Sequence, residues 1–312
     1  MISQKIVLPG GAGLVGQNLI PALKKKGFNE LVVIDKHSHN LQVLQTLHPD
    51  ITCELADLAI VGSWMHHFEH ARAVVILQAQ IGGLDADKFL QNNVIATENI
   101  LQAVQKFNVS RMIHISSSVV TSAADDLYSR SKKQQEKIII ESGFPCPILR
   151  PTLMFGWFDR KHLGWLSRFM KKVPIFPVPG NGRYMRQPLY AGDFSNIIVR
   201  CIERSDLNGT FNISGQEPID YIDLVRAVKI ASHSQALILK IPYRLFYMLL
   251  SVWALFDNNP PFTTEQLKAL TTEDKFEVID WQDIFDVQST PLHEALHATF
   301  NHPDYSQVIL EF

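Results

Sequence analysis

Cysteine is scarce in this chain, and the little there is forms no pattern. Three cysteines, Cys53, Cys146 and Cys201, are spread over 312 residues without paired spacing. That excludes a disulfide framework or a zinc knuckle and points to a reducing, cytoplasmic setting. An excess of charge of one sign is also missing. The 29 basic and 31 acidic side chains leave a formal net charge of -2, which excludes an overall polybasic nucleic-acid binder. No apolar run reaches the ~20 residues needed to cross a bilayer. Repeats and low-complexity tracts are absent, as are the P-loop GK[ST] and GxSxG signatures. The start, MISQKIVLPG, runs directly into a strand and a glycine turn, so no targeting peptide is expected.

What is present is apolar material for a large core: 46% of the residues are hydrophobic, enough to exclude intrinsic disorder. The charges are unevenly placed. Residues 257–312 carry 11 acidic and two basic side chains, so residues 1–256 are net positive. Arg160, Lys161, Arg168, Lys171, Lys172, Arg183 and Arg186 fall in one stretch without Asp or Glu. This predicts either an anionic partner or a solvated basic face answering the acidic tail.

The first organised unit is a strand, a glycine turn and a helix. Ile6 to Leu8 are followed by Gly10, Gly11, Gly13 and Gly16, and then by apolar residues at helical spacing, Leu14, Leu19, Ile20 and Leu23. Glycines let the backbone N–H groups approach a pyrophosphate at the helix N-terminus, with Leu14 and Val15 in its first turn. The next strand, Leu31 to Ile34, ends at Asp35, 19 residues after Gly16. An acid there accepts from both hydroxyls of an adenosine ribose and repels a 2'-phosphate, so NAD is preferred over NADP. Lys36 and His37 beside it blunt that preference and keep NADP possible. A third strand over residues 51–55 leads to Asp57 and Leu58 near the adenine, and a fourth, Ala73 to Leu77, leads to Gln78 and Ala79. A fifth, Met112 to Ile115, runs into Ser116, Ser117 and Ser118. With helical segments between them, such as Val94 to Phe107, these strands predict a parallel sheet covered on both faces, with ligands at its carboxyl edge.

Tyr128 and Lys132 are four residues apart in YSRSKKQQEKIIIE, on one face of a helix. An ammonium beside a phenol favours the phenolate, and a phenol so tuned can exchange a proton with an alcohol while hydride moves to or from a nicotinamide. A hydroxyl past the fifth strand, Ser118 first and Ser117 second, would orient the substrate oxygen.

These residues together resemble the extended or atypical short-chain dehydrogenases/reductases, the NAD-dependent epimerase/dehydratase group. GGAGLVG at 10–16, NNVIATENILQA at 92–103, HISSS ending at Ser118, YSRSK at 128–132, ILRPTLMFG at 148–156, RQPLYAGD at 186–193 and FNISG at 211–215 occur in the group's order. The resemblance implies an α/β fold: a Rossmann-type doubly wound parallel sheet with a smaller mixed C-terminal substrate lobe. The cofactor domain would cover residues 1–156 and the lobe 157–312, with 187–215 returning to the sheet. It also implies that Lys132 contacts the nicotinamide ribose, that Arg186 meets a diphosphate in members acting on nucleotide sugars, and that a homodimer forms through helices of the main domain. Three departures weaken a nucleotide-sugar assignment more than a redox one. Nine residues separate Ser118 from Tyr128, RQP stands where many sugar-nucleotide members carry Arg-Asp, and the second lobe holds a very apolar stretch.

That stretch, YRLFYMLLSVWALF at 243–256, is charged only at Arg244. It is expected first as a buried helix or pocket wall, then as a greasy lining for a lipid-like substrate, and last as a peripheral membrane contact. VPIFPVPGNGR at 173–183 predicts a loop or short edge strands able to form a flap. Residues 262–312 resemble the tail of relatives of a non-catalytic accessory subunit of respiratory complex I. Thr290 before Pro291 is expected to start a helix, and Phe276, Trp281 and Phe285 to serve the lobe's core. His66, His67 and His70 read as a surface cluster, with no metal site expected. The expected protein is therefore an NAD(P)-dependent oxidoreductase or epimerase-like enzyme acting on a small secondary alcohol or ketone, hydrophobic or anionic. A nucleotide-sugar epimerase/dehydratase and a non-catalytic dinucleotide-binding protein are the alternatives.

Overall fold

The computed structural model describes residues 4–122, 125–256, 263–271 and 277–311. Short aliphatic runs form the first six strands: β1 (Ile6–Pro9), β2 (Leu31–Asp35), β3 (Thr52–Leu55), β4 (Ala73–Ile76), β5 (Met112–Ile115) and β6 (Pro147–Pro151). β1, β2, β4 and β5 are buried along their whole length, as an unbroken apolar pattern requires when helices cover both faces. The crossovers are α1 (Leu14–Lys25), α2 (Ser38–Leu47), α3 (Ala86–Phe89), α4 (Ala96–Lys106) and α5 (Leu127–Glu141). A π-helical stretch, Leu90–Ile95, joins α3 to α4; such widened turns concentrate at functional sites.

The second half contributes β7 (Met154–Phe155), α6 (Leu163–Lys172), β8 (Ile175–Pro179), β9 (Met185–Arg186), β10 (Leu189–Tyr190), α7 (Ala191–Glu203) and β11 (Gly209–Ile213). After these come β12 (Ile219–Asp220), α8 (Tyr221–Ala231), β13 (Leu237–Ile241), α9 (Tyr243–Trp253), α10 (Thr264–Thr271), α11 (Trp281–Phe285) and α12 (Leu292–Asn301). β11 completes a seven-stranded sheet of order β11-β6-β5-β4-β1-β2-β3, parallel throughout. Chain order reverses between β1 and β4, which opens the crevice where doubly wound sheets take ligands. One face of the sheet is covered by α1 and α7, and the other by α4 with Trp64 and Phe68. A separate core joins α6, β8, α8 and α12 in the smaller lobe.

Three expectations are corrected by this packing and one is met. The proline-rich stretch is one of the short edge strands expected, β8, paired in parallel with β13 from Ile175↔Leu237 to Pro179↔Ile241. Prolines are tolerated because each of these two strands has a free edge. Trp281 and Phe285 are fully buried against the main sheet's core rather than the lobe's, with the Trp281 indole donating to Ser214 O at 2.8 Å; Phe276 lies outside the described residues. Thr290 does not cap α12. Its hydroxyl and N–H instead donate to the buried Asp193 carboxylate at 2.6 and 2.9 Å, and Pro291 precedes the first turn.

The third correction concerns α9, most of which is not buried. Only Phe246 is buried on it, while Trp253 is 51% and the following Phe256 86% exposed. Apolar composition predicts burial, but the helix stands off the lobe's core. Among the described residues, no helix is long and apolar enough to cross a membrane.

If α11 is part of the main core, Trp281→Ala should destabilise the whole fold by about 3–5 kcal/mol. Urea denaturation followed by the unfolding of the central sheet measures this, and a loss confined to the C-terminal segment would contradict it.

Candidate active site

The crevice begins at the turn after β1. Gly10 has φ +77°, and a Cβ there would lie 2.3 Å from Gln78 N, so only glycine lets the turn pass against the end of β4. At Gly16 a Cβ would lie 2.1 Å from Gly11 O, which keeps α1 tight against the turn. Gly13 precedes α1 without any side-chain cap, so the N–H groups of Leu14, Val15 and Gly16 have no partner within the helix and remain for an anion.

Asp35, at the end of β2, is buried. One carboxylate oxygen accepts from Ala12 N at 3.1 Å and the other from His37 N at 3.1 Å, with His37 Nδ1 at 2.9 Å. A carboxylate offers about four acceptor positions, so the oxygen facing Ala12 keeps room for a ribose hydroxyl. Lys36 Nζ donates to Asn92 Oδ1 at 2.6 Å and lies 3.9 Å from Asp57 Oδ2. Its charge is thus partly matched and not held for a 2'-phosphate. Asp57 Oδ1 accepts from Ala59 N at 2.9 Å, and the buried Leu58 receives Asn99 Nδ2 on its carbonyl at 2.9 Å. Gln78 is buried and Ala79 exposed. Gln78 Nε2 donates to Thr97 Oγ1 at 3.0 Å, whereas its Oε1 and the nearby Ser116 Oγ are buried without partners.

Past β5, the side chain of Ser117 lies near enough to the Tyr128 phenol to favour its ionised form. Ser118 is buried, and its carbonyl accepts from Thr121 Oγ1 at 2.9 Å. The chain turns tightly over Ser118–Thr121, and that turn brings Ser117 to the phenol. Burial holds the phenol above its ordinary pKa; Ser117 pulls the other way and Asp126 adds to the rise. Lys132 is fully buried one turn further along α5, donating to Ile115 O at 2.9 Å and Gln135 Oε1 at 2.6 Å. Burial lowers its pKa to about 7, against a smaller opposing pull from Glu136. The expected depression of the phenol by the lysine is therefore not what governs Tyr128 in this state.

Several site residues escape a reading by spacing alone. Gln135 donates to Thr97 Oγ1 at 2.8 Å, and Thr97 donates to Asn93 O at 2.6 Å. Asn93 in turn donates to Ser131 Oγ at 2.8 Å and accepts from Gln80 N at 2.6 Å. Thr97 and Gln135 sit on different helices, so no sequence interval signals the contact. His114 on β5 is fully buried with both ring nitrogens unpartnered; burial, and then Lys132, hold it neutral with a pKa well below 6.5.

Arg186 has backbone partners of its own. Its guanidinium donates to Met185 O at 2.8 Å and also to Leu270 O. Within the basic stretch, Arg168 likewise donates to Asp159 O at 3.1 Å and Arg160 O at 2.6 Å, and Arg183 lies 3.4 Å from Asp220 Oδ2. These arginines do not converge on one anion cradle. His67 meets Glu54 at 2.5 Å. Among the described residues, no cluster of three His, Cys, Asp or Glu could hold a metal.

A parallel sheet with a glycine turn at its switch point and an acid at the next strand end defines a dinucleotide-binding α/β protein. Residues 6–214 match the NAD dependent epimerase/dehydratase family, and the chain belongs to it. Sterol-4-alpha-carboxylate 3-dehydrogenase (decarboxylating) of Schizosaccharomyces pombe is 26% identical, over 89% of this chain and 91% of the relative. A mitochondrial NADH dehydrogenase [ubiquinone] 1 alpha subcomplex subunit 9 of Dictyostelium discoideum is 25% identical, over 92% and 81%. Among solved structures, UDP-glucuronic acid 4-epimerase from Bacillus cereus, in complex with UDP-glucuronic acid and NAD, superposes with TM-score 0.72 at 20% identity, covering 95% of this chain and 98% of that one.

NAD is the cofactor of the family, and the crevice fits it. The glycine turn leaves backbone N–H groups for phosphates, Asp35 has acceptor capacity for ribose, and Gln78 Oε1 and Ser116 Oγ are buried without partners at the strand ends. Gly13→Val, where a Cβ would meet nothing closer than Gly10 O at 3.8 Å, should abolish NADH binding, measured by cofactor fluorescence, while circular dichroism stays native; retained binding would place the cofactor elsewhere. Lys132 supplies a pH test. Its folded pKa of about 7 lies below the ordinary lysine value of 10.5, so above pH 7 the unfolded chain binds the extra proton and stability rises with pH. The stability difference between wild type and Lys132→Met should therefore grow in favour of the wild type from pH 7 to about 9. A difference flat in pH would show the amine to be charged when folded.

Proposed function

We propose that this chain is an NAD(P)-dependent oxidoreductase or epimerase-like enzyme that acts on a secondary alcohol or ketone, with a hydrophobic substrate as the first choice. The observation that carries the reading is the Ser117 side chain against the Tyr128 phenol at the carboxyl end of β5, with Lys132 buried one turn below. Gly10, Gly13, Leu14, Val15 and Gly16 would hold the dinucleotide phosphates, Asp35 the adenosine ribose, Asp57 and Leu58 the adenine side, and Gln78, Ala79 and Lys132 the nicotinamide half. Bound there, the cofactor supplies a hydride acceptor or donor. Tyr128 exchanges the proton of the substrate oxygen, Ser117 or Ser118 orients that oxygen, and Lys132 positions the ribose. The raised phenol pKa keeps Tyr128 protonated before the ligands bind, the state needed to donate to a carbonyl.

The preference for a hydrophobic substrate rests on α9, whose Leu245, Met248, Leu249, Val252 and Trp253 are exposed beside the lobe that would receive substrate. It also rests on Arg186, whose guanidinium is engaged by Met185 O and Leu270 O rather than directed at a diphosphate. The sterol carboxylate dehydrogenase relative supports the same choice. The exposed face would also suit reversible contact with a lipid surface.

A second reading, a dinucleotide-binding protein with a structural role, draws on one observation: burial, and not a cation, governs Tyr128. The two readings part in one assay. Cofactor turnover at 340 nm is followed with steroid and long-chain secondary alcohols and, in parallel, conversion of UDP-glucuronic acid is followed by separation of the epimeric sugars, since epimerisation leaves the cofactor unchanged overall. Tyr128→Phe should lower kcat on the accepted substrate by about 10²–10⁴-fold and leave NADH affinity within about twofold. Turnover untouched by Tyr128→Phe would overturn the catalytic assignment. Turnover of the UDP-sugar alone would overturn the hydrophobic substrate.

A further inference from the structure

Lys132, Gln135, Thr97 and Gln78 form one buried chain of hydrogen bonds across the switch point, from the end of β5 to the end of β4. All four are less than 9% exposed. The direction of each bond can be fixed by elimination. Thr97 Oγ1 gives its proton to Asn93 O at 2.6 Å, so toward the two glutamines it can only accept. It accepts from Gln78 Nε2 at 3.0 Å and from Gln135 Nε2 at 2.8 Å. The Gln135 amide is thereby turned with its oxygen toward Lys132, 2.6 Å from Nζ. Ile115 O takes a second hydrogen of the same amine at 2.9 Å.

Counting donors gives this arrangement a consequence. A neutral amine carries two hydrogens and an ammonium three. With Gln135 Oε1 and Ile115 O each holding one, the neutral amine has none left to give. We infer that Gln135, anchored by Thr97, is a positioning residue that occupies one Lys132 hydrogen so that only the ammonium form has an N–H to donate to the cofactor. The inference rests on the proposed role of Lys132 toward the cofactor ribose. It makes cofactor binding a proton-uptake event near neutrality, where the amine titrates.

The test is NADH affinity, titrated by fluorescence between about pH 6 and pH 9, for wild type, Gln135→Leu, Gln135→Glu, Thr97→Val and Lys132→Met. Wild-type affinity should fall with rising pH, by up to about tenfold per unit once the amine has lost its proton. Gln135→Leu frees a hydrogen on the neutral amine and should flatten that fall to less than half its slope. Gln135→Glu has nearly the same shape but adds a negative charge, and should move the midpoint upward by about one pH unit or more. Thr97→Val lets the amide turn and should flatten the profile as Gln135→Leu does, while Thr97→Ser restores it. A merely structural glutamine would lower affinity equally at every pH. If Lys132→Met abolishes the pH dependence while both Gln135 variants keep the wild-type slope and midpoint, the positioning role of Gln135 is wrong. If Lys132→Met keeps the wild-type slope, the lysine does not donate to the cofactor, and that separate failure removes the functional reading of Lys132. Gln135→Glu, nearly isosteric, keeps the experiment decisive should the leucine variant misfold.

Discussion

The close approach of Gly10 to Gln78 is the constraint on which the rest of the molecule depends. Two strands of a parallel sheet must part at the switch point, and the turn leaving β1 fills the gap only because no side chain stands between it and the end of β4. That contact fixes where α1 begins, which N–H groups its first turn leaves free, and how Gln78 faces Thr97. Loosening it would disturb the phosphate end of the crevice and the polar chain leading to Lys132 together.

The buried amine gives the crevice its chemical character. An ammonium placed in an apolar interior is costly unless partners surround it, and here the partners are neutral carbonyl oxygens. They hold the group in place without holding its proton. The neighbouring phenol is shifted the other way by the same desolvation. Acid and base are thus both biased toward their uncharged forms before any ligand arrives, the state that leaves each free to respond to one.

Much of the sheet could be read along the chain because its determinants are local. β5 was expected over the residues it occupies, and the starts of β1, β2 and β4 follow their apolar runs, each closed by glycine, acid or small polar residues. Other features were hidden because they depend on distant chain. Whether Ser117 or Ser118 meets Tyr128 depends on a tight turn after β5 that no spacing specifies. Gln135 follows Lys132 by three residues, yet its role comes from Thr97 on another helix. Apolar content alone argued for burial of α9, but exposure is decided by whether the lobe's core reaches it, and it does not. Trp281 looked like a lobe residue by position, whereas its indole finds Ser214 O beside the main sheet.

The route of the chain between its two layers bears on how the crevice can open. From β6 the backbone enters the lobe at α6, returns to the main sheet through α7 and β11, and leaves again for α8 and β13. It comes back once more at α11 before ending in the lobe with α12. A body laced to its neighbour at so many points has no single hinge about which to swing. Opening and closing must proceed as a sliding of packed surfaces, shared in small displacements among several straps.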